Sequence, residues 1–406
     1  MIPLDDVQGR ILDTVELLPT VEVPLAEALG LATAKALSAS WDVPPFANTG
    51  MDGYAVRAAD TAGATPESPV RLVVVDELRA GRAPSVAVEA GQAIRIMTGA
   101  PIPEGADGII MVEETAVDGD AVLVRRAVTA GDHIRPAGGD LADGQVAFPV
   151  RSVLTPAHLG VAASLGHATV PVIRRARVAV MSTGDELTPP GERLSPGRIT
   201  DSNRPMLRAL IGQAGCEVVD LGIARDDEAD IIGHLEEAVA TCDALVTTGG
   251  VSMGEYDLVK KVLDGMGVLN WWQVAIKPAK PLAFGLVRGK PVFGLPGNPV
   301  SSHVSFELFA RPALLQMMGH QRRFRPVVQA VAKHDMRRRP DGKLHLDRVW
   351  VRREEGLLVA AGTGVQASNV LSGMAMANAL ALIPDGEGVG AGERVDVMLL
   401  DSPADH

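Results

Sequence analysis

Hydrophobic residues near the N-terminus recur at the spacing of one helix face. The residues that share this face are Val7, Ile11, Val15 and Leu18. The segment PLAEALGLATAKAL continues the pattern, so we predict helices over residues 5–40. A later segment, TPAHLGVAASLG, is also helical in pattern, with Thr155 as a suitable N-cap before a proline. We expect these helices to pack together, so that residues 1–45 and 137–175 form one discontinuous helical unit.

The rest of the chain shows two further patterns. Residues 46–136 contain short β-rich runs, such as VRLVVVDEL and GIIMVEETAV, and predict a compact, mostly antiparallel β domain. From residue 176, strands such as ARVAVMS and DALVTTGG alternate with helical segments, which predicts a parallel-rich sheet covered on both faces. We assign residues 176–322 to this α/β domain, with a long helix from about Pro299. Residues 323–406 return to β patterns and predict a small C-terminal β domain.

Composition narrows the class of protein. With 406 residues, 47% hydrophobic and 3% aromatic, the chain is typical of a folded protein with several domains. The formal charge of −12 argues against nucleic-acid binding, and we expect the basic run MRRR at 336–339 to be a strand end or turn. No apolar run approaches the roughly 20 residues of a membrane span. Because the N-terminus also lacks a signal pattern, we expect a cytoplasmic protein without membrane partners. Cys216 and Cys242 are expected in the core, since their spacing supports neither a disulfide framework nor a zinc site.

Three glycine-rich loops follow strands of the predicted sheet: STGDEL, TTGGVSMGEYD and GLPGNPVSS. Ligands bind outside the carboxyl ends of parallel strands, and glycine lets the backbone approach a ligand closely. One such loop alone is more often a turn, but three at one edge favour a ligand site. The predicted binding residues of these loops are Ser182, Thr183, Gly184, Gly249, Gly250, Ser252, Pro296, Gly297, Asn298, Pro299 and Ser301.

Charged residues near these loops indicate an anionic ligand. Asp185, Glu186 and Asp257 offer hard oxygen ligands, which favour Mg²⁺ over zinc in the absence of a His or Cys pair. The segment AIKPAKP adds Lys277 and Lys280, whose alternative is plain surface exposure. A phosphate-bearing ligand accounts for these residues together.

The segment FANTGMDGYAVRAAD places the carboxylate of Asp52 in a predicted loop, beside a Met51 expected to be buried. Taken alone, the Asp-Gly pair indicates a tight turn, because Asp bonds its own backbone and Gly53 accepts positive φ.

Seven motifs together give the chain a family resemblance. MDGYAV, IMTGAPIPEGAD, STGDEL, DSN, TTGGVSMGEYD, AIKPAKP and GLPGNPVSS, in this order, resemble the MoeA family, molybdopterin molybdenumtransferases related to the gephyrin E domain. The resemblance implies a helical unit that is elongated, a β domain, a three-layer α/β domain and a C-terminal β domain. It also implies a homodimer in which each cleft combines the α/β domain of one subunit with the β domain of the other. Asp52 would then face the pterin site of the partner subunit.

The resemblance also implies an activity and a set of site residues. The family inserts molybdate into adenylylated molybdopterin with release of AMP, and the upstream molybdopterin adenylyltransferase is a candidate partner. The matching catalytic positions are Asp52, Thr98, Asp140, Glu186, Asp257, Lys277 and Lys280. Further matching positions are Arg135 and either Asp226 or Asp227. Ser368 matches less well, because the sequence around it departs from the family pattern.

The residue types suit this chemistry. Molybdate and the pyrophosphate of the substrate are both anionic, so their approach requires neutralisation by Mg²⁺, held by Glu186 and Asp257, and by the two lysines. Asp52 and Asp140 would orient the substrate or accept protons, two roles that the sequence does not separate. Two alternatives remain open at this point. Instead of a molybdenumtransferase, the chain would be a molybdopterin adenylyltransferase, which would need ATP, or a non-catalytic scaffold like gephyrin.

Overall fold

The computed structural model describes residues 1–250 and 258–405. The chain divides into two compact units. The smaller unit comprises Val23–Leu29 and Lys35–Val170. The larger unit comprises Met1–Glu22, Gly30–Ala34 and Pro171–His406.

The first part of the chain is mostly short strands. Its elements are α1 (Leu4–Thr14), β1 (Thr20–Pro24), β2 (Leu37–Ser38), β3 (Asn48–Thr49), β4 (Gly53–Val56), β5 (Val70–Leu78), β6 (Gln92–Ile96), β7 (Gly108–Met111), β8 (Thr115–Asp118), β9 (Ala121–Val124), β10 (Ile134–Arg135), β11 (Val146–Phe148), α2 (Pro156–Ser164) and β12 (Thr169–Ile173). Thr155 caps α2 as predicted, since its hydroxyl accepts from the N–H of His158.

A six-stranded sheet forms the core of the smaller unit, in the order β7-β4-β6-β5-β9-β8. All its pairings are antiparallel except that of β5 with β6, so the prediction of a mostly antiparallel β domain is confirmed. Side chains that alternate along the strands point to opposite faces of this sheet, and an apolar cluster covers each face. Tyr54 and Ile110 lie in one apolar cluster, and Ile94 and Ile109 lie in the other.

Gly53 has a different role from the one predicted for it. It begins the central strand β4 instead of occupying a positive-φ turn, and a Cβ there would lie 2.0 Å from the carbonyl oxygen of Ile110. The glycine is therefore required for close strand packing. The neighbouring Met51, expected to be buried, is 43% exposed.

We expect Gly53→Ala to lower the free energy of unfolding by about 1–3 kcal/mol, the usual cost of overpacking a tight site. Gly160→Ala is the matched control, because Gly160 lies within α2 and a Cβ there meets no atom within 4 Å. This control should stabilise slightly, as alanine favours helices. Urea unfolding of the full chain measures both, and equal effects would contradict the packing argument.

The prediction of helix over residues 5–40 is wrong beyond α1. After β1 only one 3₁₀ turn forms, Leu25–Glu27, and Gly30 follows with φ of +78°. The backbone here bonds to distant segments: the N–H of Leu25 donates to the carbonyl of Ala168. Tertiary pairing therefore overrides the local helical pattern.

The larger unit contains the remaining elements. They are β13 (Arg177–Thr183), β14 (Leu187–Thr188), β15 (Ile199–Thr200), α3 (Asn203–Gln213), β16 (Glu217–Ala224), α4 (Glu228–Thr241), β17 (Ala244–Thr248), α5 (Leu258–Met266), β18 (Gly267–Gln273), β19 (Ile276–Lys277), β20 (Pro281–Val287), β21 (Lys290–Leu295), α6 (Pro299–Ser305), a π-helical turn (Phe306–Ala310), α7 (Arg311–Met317), β22 (Val327–Ala332), β23 (Met336–Arg337), β24 (Leu344–Glu354), β25 (Leu357–Gly362), α8 (Leu371–Ala375), β26 (Ala379–Ile383), β27 (Gly388–Val389), β28 (Arg394–Leu399) and β29 (Ala404–Asp405).

The α/β part of this unit has a six-stranded sheet in the order β16-β13-β17-β21-β20-β18. The first four strands are parallel, and the last two are antiparallel. Apolar clusters cover both faces, with Val180 and Leu207 in one and Met181 and Ile231 in the other. The sheet is therefore parallel-rich and covered as predicted.

The N-terminal helix belongs to this larger unit, whereas α2 lies in the smaller one. Val7 and Ile11 of α1 lie in the same buried cluster as Phe309, and the side-chain amide of Gln316 donates to the carbonyl of Leu12. The apolar face identified in the sequence thus packs against the π-helical turn and α7.

The C-terminal part is a β domain, as expected. Seven strands form its sheet: six pair in the order β19-β24-β25-β22-β28-β26, β29 lies beside β24, and β24 also pairs with β26.

Three further expectations from the sequence can be compared with the structure. The basic run is a strand end: Arg337 ends β23, and the side chain of Arg338 is only 4% exposed. Both cysteines are buried, and burial raises the pKa of Cys216 to about 12. Within the described residues, no helix has the length and apolar character needed to cross a membrane.

Candidate functional site

The three glycine-rich loops leave the sheet at neighbouring strand ends. β13 ends at Thr183, β17 at Thr248 and β21 at Leu295, and these strands are parallel neighbours. The predicted clustering of the loops is therefore present. Ser252 and Asp257, two predicted site residues, lie outside the described residues.

A buried hydrogen-bond network joins two of these loops. The side-chain amide of Asn203 donates to the Thr248 hydroxyl at 2.9 Å and to the Gly297 carbonyl at 2.7 Å. The Thr248 hydroxyl donates to the Pro296 carbonyl at 3.1 Å, and the Ser302 hydroxyl donates to that of Thr248 at 3.2 Å. Asn203 stands in the DSN motif, yet no local pattern shows that it ties two distant loops together.

Two of the loop positions require glycine because other atoms lie too close to accept a Cβ. Gly249 has φ of +91°, and a Cβ there would lie 2.6 Å from the Thr183 carbonyl oxygen. Gly184 has φ of +143°, and a Cβ there would lie 2.4 Å from a carboxylate oxygen of Glu186. The carboxylate of Glu186 is thus folded back over its own loop. A side chain at Gly249 would force its loop away from Thr183, whereas one at Gly184 would displace the Glu186 carboxylate.

The loops enclose a small cavity of about 90 Å³. The predicted binding residues that line it are Ser182, Thr183, Glu186, Gly249, Gly297 and Pro299. Among the described residues, the Thr183 hydroxyl and the side-chain amide oxygen (Oδ1) of Asn203 are buried without a hydrogen-bond partner. Such groups are costly to bury alone, so a water or a ligand in this cavity would supply their hydrogen bonds.

A charged network supports the floor of this cavity. The Ser182 hydroxyl donates to the Asp201 carboxylate at 2.7 Å, and Asp201 is 1% exposed. Arg204 pairs with Asp201 at 3.0 Å and with Asp220 at 2.7 Å. Sequence reasoning missed this role, although Asp201 begins the DSN motif.

The adjacent residues Asp226 and Asp227 form different hydrogen bonds. Asp227 caps α4, because its carboxylate accepts from the N–H of Asp230. Asp226 and Asp185 instead exchange backbone-to-carboxylate hydrogen bonds, both at 3.3 Å. Asp226 is thereby linked to the loop that carries Glu186.

The acidic residues fit a hard cation only in part. Among the described residues, no group of three or more His, Cys, Asp or Glu side chains is placed to hold a metal ion. Glu186 is exposed at the cavity and provides carboxylate oxygens, the ligand type that Mg²⁺ prefers. Its predicted partner Asp257 lies outside the described part of the chain.

A second, larger cavity gathers the predicted cations. Its volume is about 490 Å³, and its lining includes Lys277, Lys280, Lys343, Ser301, Ser368 and Asn369. We call it the lysine cavity. Four of these residues were predicted, and all of the charged lining residues are lysines. Lys277 and Lys280 are exposed to solvent, whereas the Lys343 side chain is 20% exposed and pairs with Asp341 at 2.8 Å.

The first turn of helix α6 contributes residues to both cavities. Pro299 lines the small cavity and Ser301 lines the lysine cavity, both in the first turn of α6. The N–H of Val300 between them donates to the Ser368 carbonyl at 3.1 Å. Ser368, supported only weakly by its sequence context, is thus tied to the loop that carries GNPVSS. Lys343 was missed because nothing near it in sequence indicates a site.

In the smaller unit, Asp52 is paired with Thr98, another predicted residue. One carboxylate oxygen of Asp52 accepts from the Thr98 hydroxyl at 2.6 Å and from its N–H at 2.7 Å. These two hydrogen bonds lower the pKa of Asp52, the hydroxyl contributing most. Because hydrogen bonds to a carboxylate favour its charged form, Asp52 is an ionised acceptor at neutral pH.

We expect Thr98→Val to raise the pKa of Asp52 towards the ordinary value of 3.8, since the hydroxyl is lost and the backbone N–H remains. A depressed pKa stabilises the folded state above the unfolded pKa, and this contribution is lost as pH falls through the folded value. The variant should therefore lose less stability in acid than the native chain. Carbon-detected NMR titration of the Asp52 carboxyl measures the shift, and an unchanged pKa would contradict this hydrogen-bond assignment.

The other predicted residues of the smaller unit are exposed. The Arg135 guanidinium lies over Gly50, where a Cβ would be 3.3 Å from Nε. The backbone N–H of Asp140 donates to the Val43 carbonyl at 2.9 Å, and the residue itself is exposed. Arg135 and Asp140 are therefore available to a ligand.

Comparisons with known proteins cover nearly the whole chain. Residues 2–166 match the MoeA N-terminal region (domain I and II), residues 179–316 a probable molybdopterin binding domain, and residues 329–400 the MoeA C-terminal region (domain IV). A molybdopterin molybdenumtransferase 2 of Mycobacterium tuberculosis is 42% identical over 371 residues, which are 90% of this chain and 91% of that protein. A molybdopterin molybdenumtransferase of Haemophilus influenzae is 35% identical over 402 residues, 98% of each chain.

Solved structures agree with these matches. The crystal structure of a molybdopterin biosynthesis moeA protein from Pyrococcus horikoshii has a TM-score of 0.84 and 31% identity, covering 98% of this chain and 100% of that one. A molybdenum cofactor biosynthesis protein from Pyrococcus furiosus is similar in fold, with a TM-score of 0.60 and 20% identity, covering 98% of this chain and 99% of that one.

Proposed function

Because this chain belongs to the molybdopterin molybdenumtransferase (MoeA) family of molybdenum cofactor biosynthesis enzymes, we propose that it inserts molybdate into adenylylated molybdopterin and releases AMP. The observation that carries this proposal is the meeting of Lys277, Lys280, Ser301 and Ser368 in one cavity. A cavity whose charged lining is entirely cationic suits a tetrahedral oxyanion in an otherwise acidic protein.

We propose that each of the two cavities binds one of the two substrates. In our proposal the lysine cavity holds molybdate, with the lysine ammonium groups and the hydroxyls of Ser301 and Ser368 as donors. The small cavity, with the partnerless Thr183 hydroxyl, receives part of the adenylylated substrate, whose phosphates approach the glycine loops. The first turn of α6 holds the two substrates next to each other.

Residues of the chain neutralise and orient the reactants. The lysine charges lower the repulsion between two anionic substrates and act at distances fixed by the fold before binding. Glu186 and Asp257 would hold Mg²⁺, which when bound supplies Lewis-acid polarisation of the pyrophosphate. Asp52, kept ionised by Thr98, is a fixed hydrogen-bond acceptor that orients the substrate; its lowered pKa makes it a weak base. Asp226 has a position that suits a ligand role better than the capping Asp227.

We also propose that the enzyme is a cytoplasmic homodimer that receives its substrate from the upstream adenylyltransferase. A dimer would let Asp52 of one chain act with the lysine cavity of the other. Sedimentation at micromolar concentration should show a dimer. A stable monomer with full activity would contradict this assembly.

The direct test combines purified protein with adenylylated molybdopterin, molybdate and Mg²⁺ and follows AMP by chromatography. We expect AMP release that requires molybdate and is lost on chelation of the cation. Formation of adenylylated molybdopterin from molybdopterin and ATP would instead support an adenylyltransferase. Absence of both reactions in the folded dimer would support a scaffold role.

A further inference from the structure

Among the residues that the structure describes, Arg348 is the largest fully buried side chain, at 1% exposure. It lies in β24, and its guanidinium faces the segment that leads from β25 to α8. Within the described residues its hydrogen bonds run to neutral oxygens and it forms no ion pair. A buried charge without a hydrogen-bonded carboxylate is a poor source of stability, so we look for the role of Arg348 in the groups that its guanidinium bonds.

The guanidinium holds one short loop at several points. Nη2 donates to the Val365 carbonyl at 2.7 Å, and Nη1 donates to the carbonyls of Ala367 and Val370 at 3.1 and 2.8 Å. Nε donates to the side-chain oxygen of Gln366 at 3.1 Å. The amide of Gln366 in turn donates to the Arg348 carbonyl at 3.0 Å. We call residues 364–370 the clamped loop.

The clamped loop forms one wall of the lysine cavity. Its residues Gln366, Ala367, Ser368 and Asn369 all line that cavity, as do Lys277 and Lys280. The carbonyls of Val365, Ala367 and Val370 accept from the guanidinium, and the Ser368 carbonyl accepts from the N–H of Val300 in α6. The loop backbone is therefore held by both Arg348 and α6. Fixing a binding loop before the ligand arrives lowers the entropy cost of binding.

We propose that Arg348 is a positioning residue, which sets the clamped loop so that Ser368 and Asn369 meet an oxyanion in the lysine cavity. The inference rests on the proposed function for the identity of the oxyanion. Only a planar, forked group reaches four acceptors at once, whereas a lysine ammonium is a point donor. The geometry therefore predicts that charge alone does not replace the arginine.

The test measures molybdate binding to the full-length protein by calorimetry. Arg348→Lys and Gln366→Leu should each raise the Kd for molybdate by about 10-fold or more, a loss of about 1.4 kcal/mol. Arg325→Lys is the control, because Arg325 is a partly buried arginine, 15% exposed, that bonds to Glu307 and Gln213, neither of which lines the cavity. The control should lose stability and keep the native Kd within about twofold. In Arg348→Ala, millimolar guanidinium should restore part of the affinity.

Amide hydrogen exchange over residues 364–370 separates this inference from the proposed function. Exchange should accelerate in both loop variants and stay native in the control, whether or not molybdate is the ligand. A folded Arg348→Lys protein with native exchange and native Kd would overturn the inference. If that variant fails to fold, native values for Gln366→Leu would overturn it. Failure of the native protein to bind molybdate would count against the proposed function, and exchange would still decide the role of Arg348.

Discussion

Lys277→Ala should lower the rate of AMP release by roughly 10- to 1000-fold while leaving the fold intact. This corresponds to about 1.4–4 kcal/mol of transition-state stabilisation, the usual effect of removing a fixed charge donor. Lys277 lines the lysine cavity and is exposed, so its loss removes a surface cation and leaves the core packing intact. Rates at subsaturating substrate, with circular dichroism as the check on folding, measure the effect.

Lys333→Ala is the control for this variant. Lys333 is also an exposed lysine of the larger unit, and it pairs with Glu354 at 3.0 Å without lining either cavity. Its loss should change stability by no more than about 0.5 kcal/mol and leave turnover unchanged. Lys277→Arg adds a further comparison, since it keeps charge and changes shape. Native turnover in Lys277→Ala would remove this lysine from the site.

Gly249→Ala should have the second large effect. A Cβ at this position combines an unfavourable positive φ with a 2.6 Å approach to the Thr183 carbonyl, so the loops after β13 and β17 must separate. The small cavity would then open and lose the polar contacts of Thr183. We expect AMP release to fall by about 100-fold, with an increase in the KM for the adenylylated substrate.

Gly222→Ala distinguishes backbone strain from the clash. Gly222 lies in β16 of the same sheet with φ of +88°, but a Cβ there meets no atom within 4 Å. This control should cost about 1 kcal/mol of stability and keep the native KM. Equal losses of activity in the two variants would contradict the role assigned to close approach at Gly249.

The sequence predicted the features that depend on local pattern. Alternating strands and helices predicted the parallel-rich sheet, and the three glycine-rich loops predicted a cluster at one edge of that sheet, where β13, β17 and β21 end as neighbours. The same reasoning failed for residues 24–40. Their helical pattern is outweighed by backbone bonds such as that from Leu25 to Ala168, which lie far apart in sequence.

Site residues were predictable where a motif carried them. Lys277 and Lys280 stand in one recognisable segment, and in the structure they line a cavity together with Ser301. Lys343 and Arg348 carry no such signal, because their roles arise from a strand and a loop that meet only in the fold. The predicted metal residue Asp257 lies outside the described residues, so the Mg²⁺ site stays a prediction.

The measurement that tests the central claim most directly is the stoichiometry of the reaction. After a single turnover with adenylylated molybdopterin and limiting molybdate, AMP is counted by chromatography and molybdenum in the cofactor by mass spectrometry. We predict one AMP released for each molybdenum incorporated, and no AMP above background without molybdate. AMP release at the same rate without molybdate, or without molybdenum in the product, would contradict the claim that this chain inserts molybdenum.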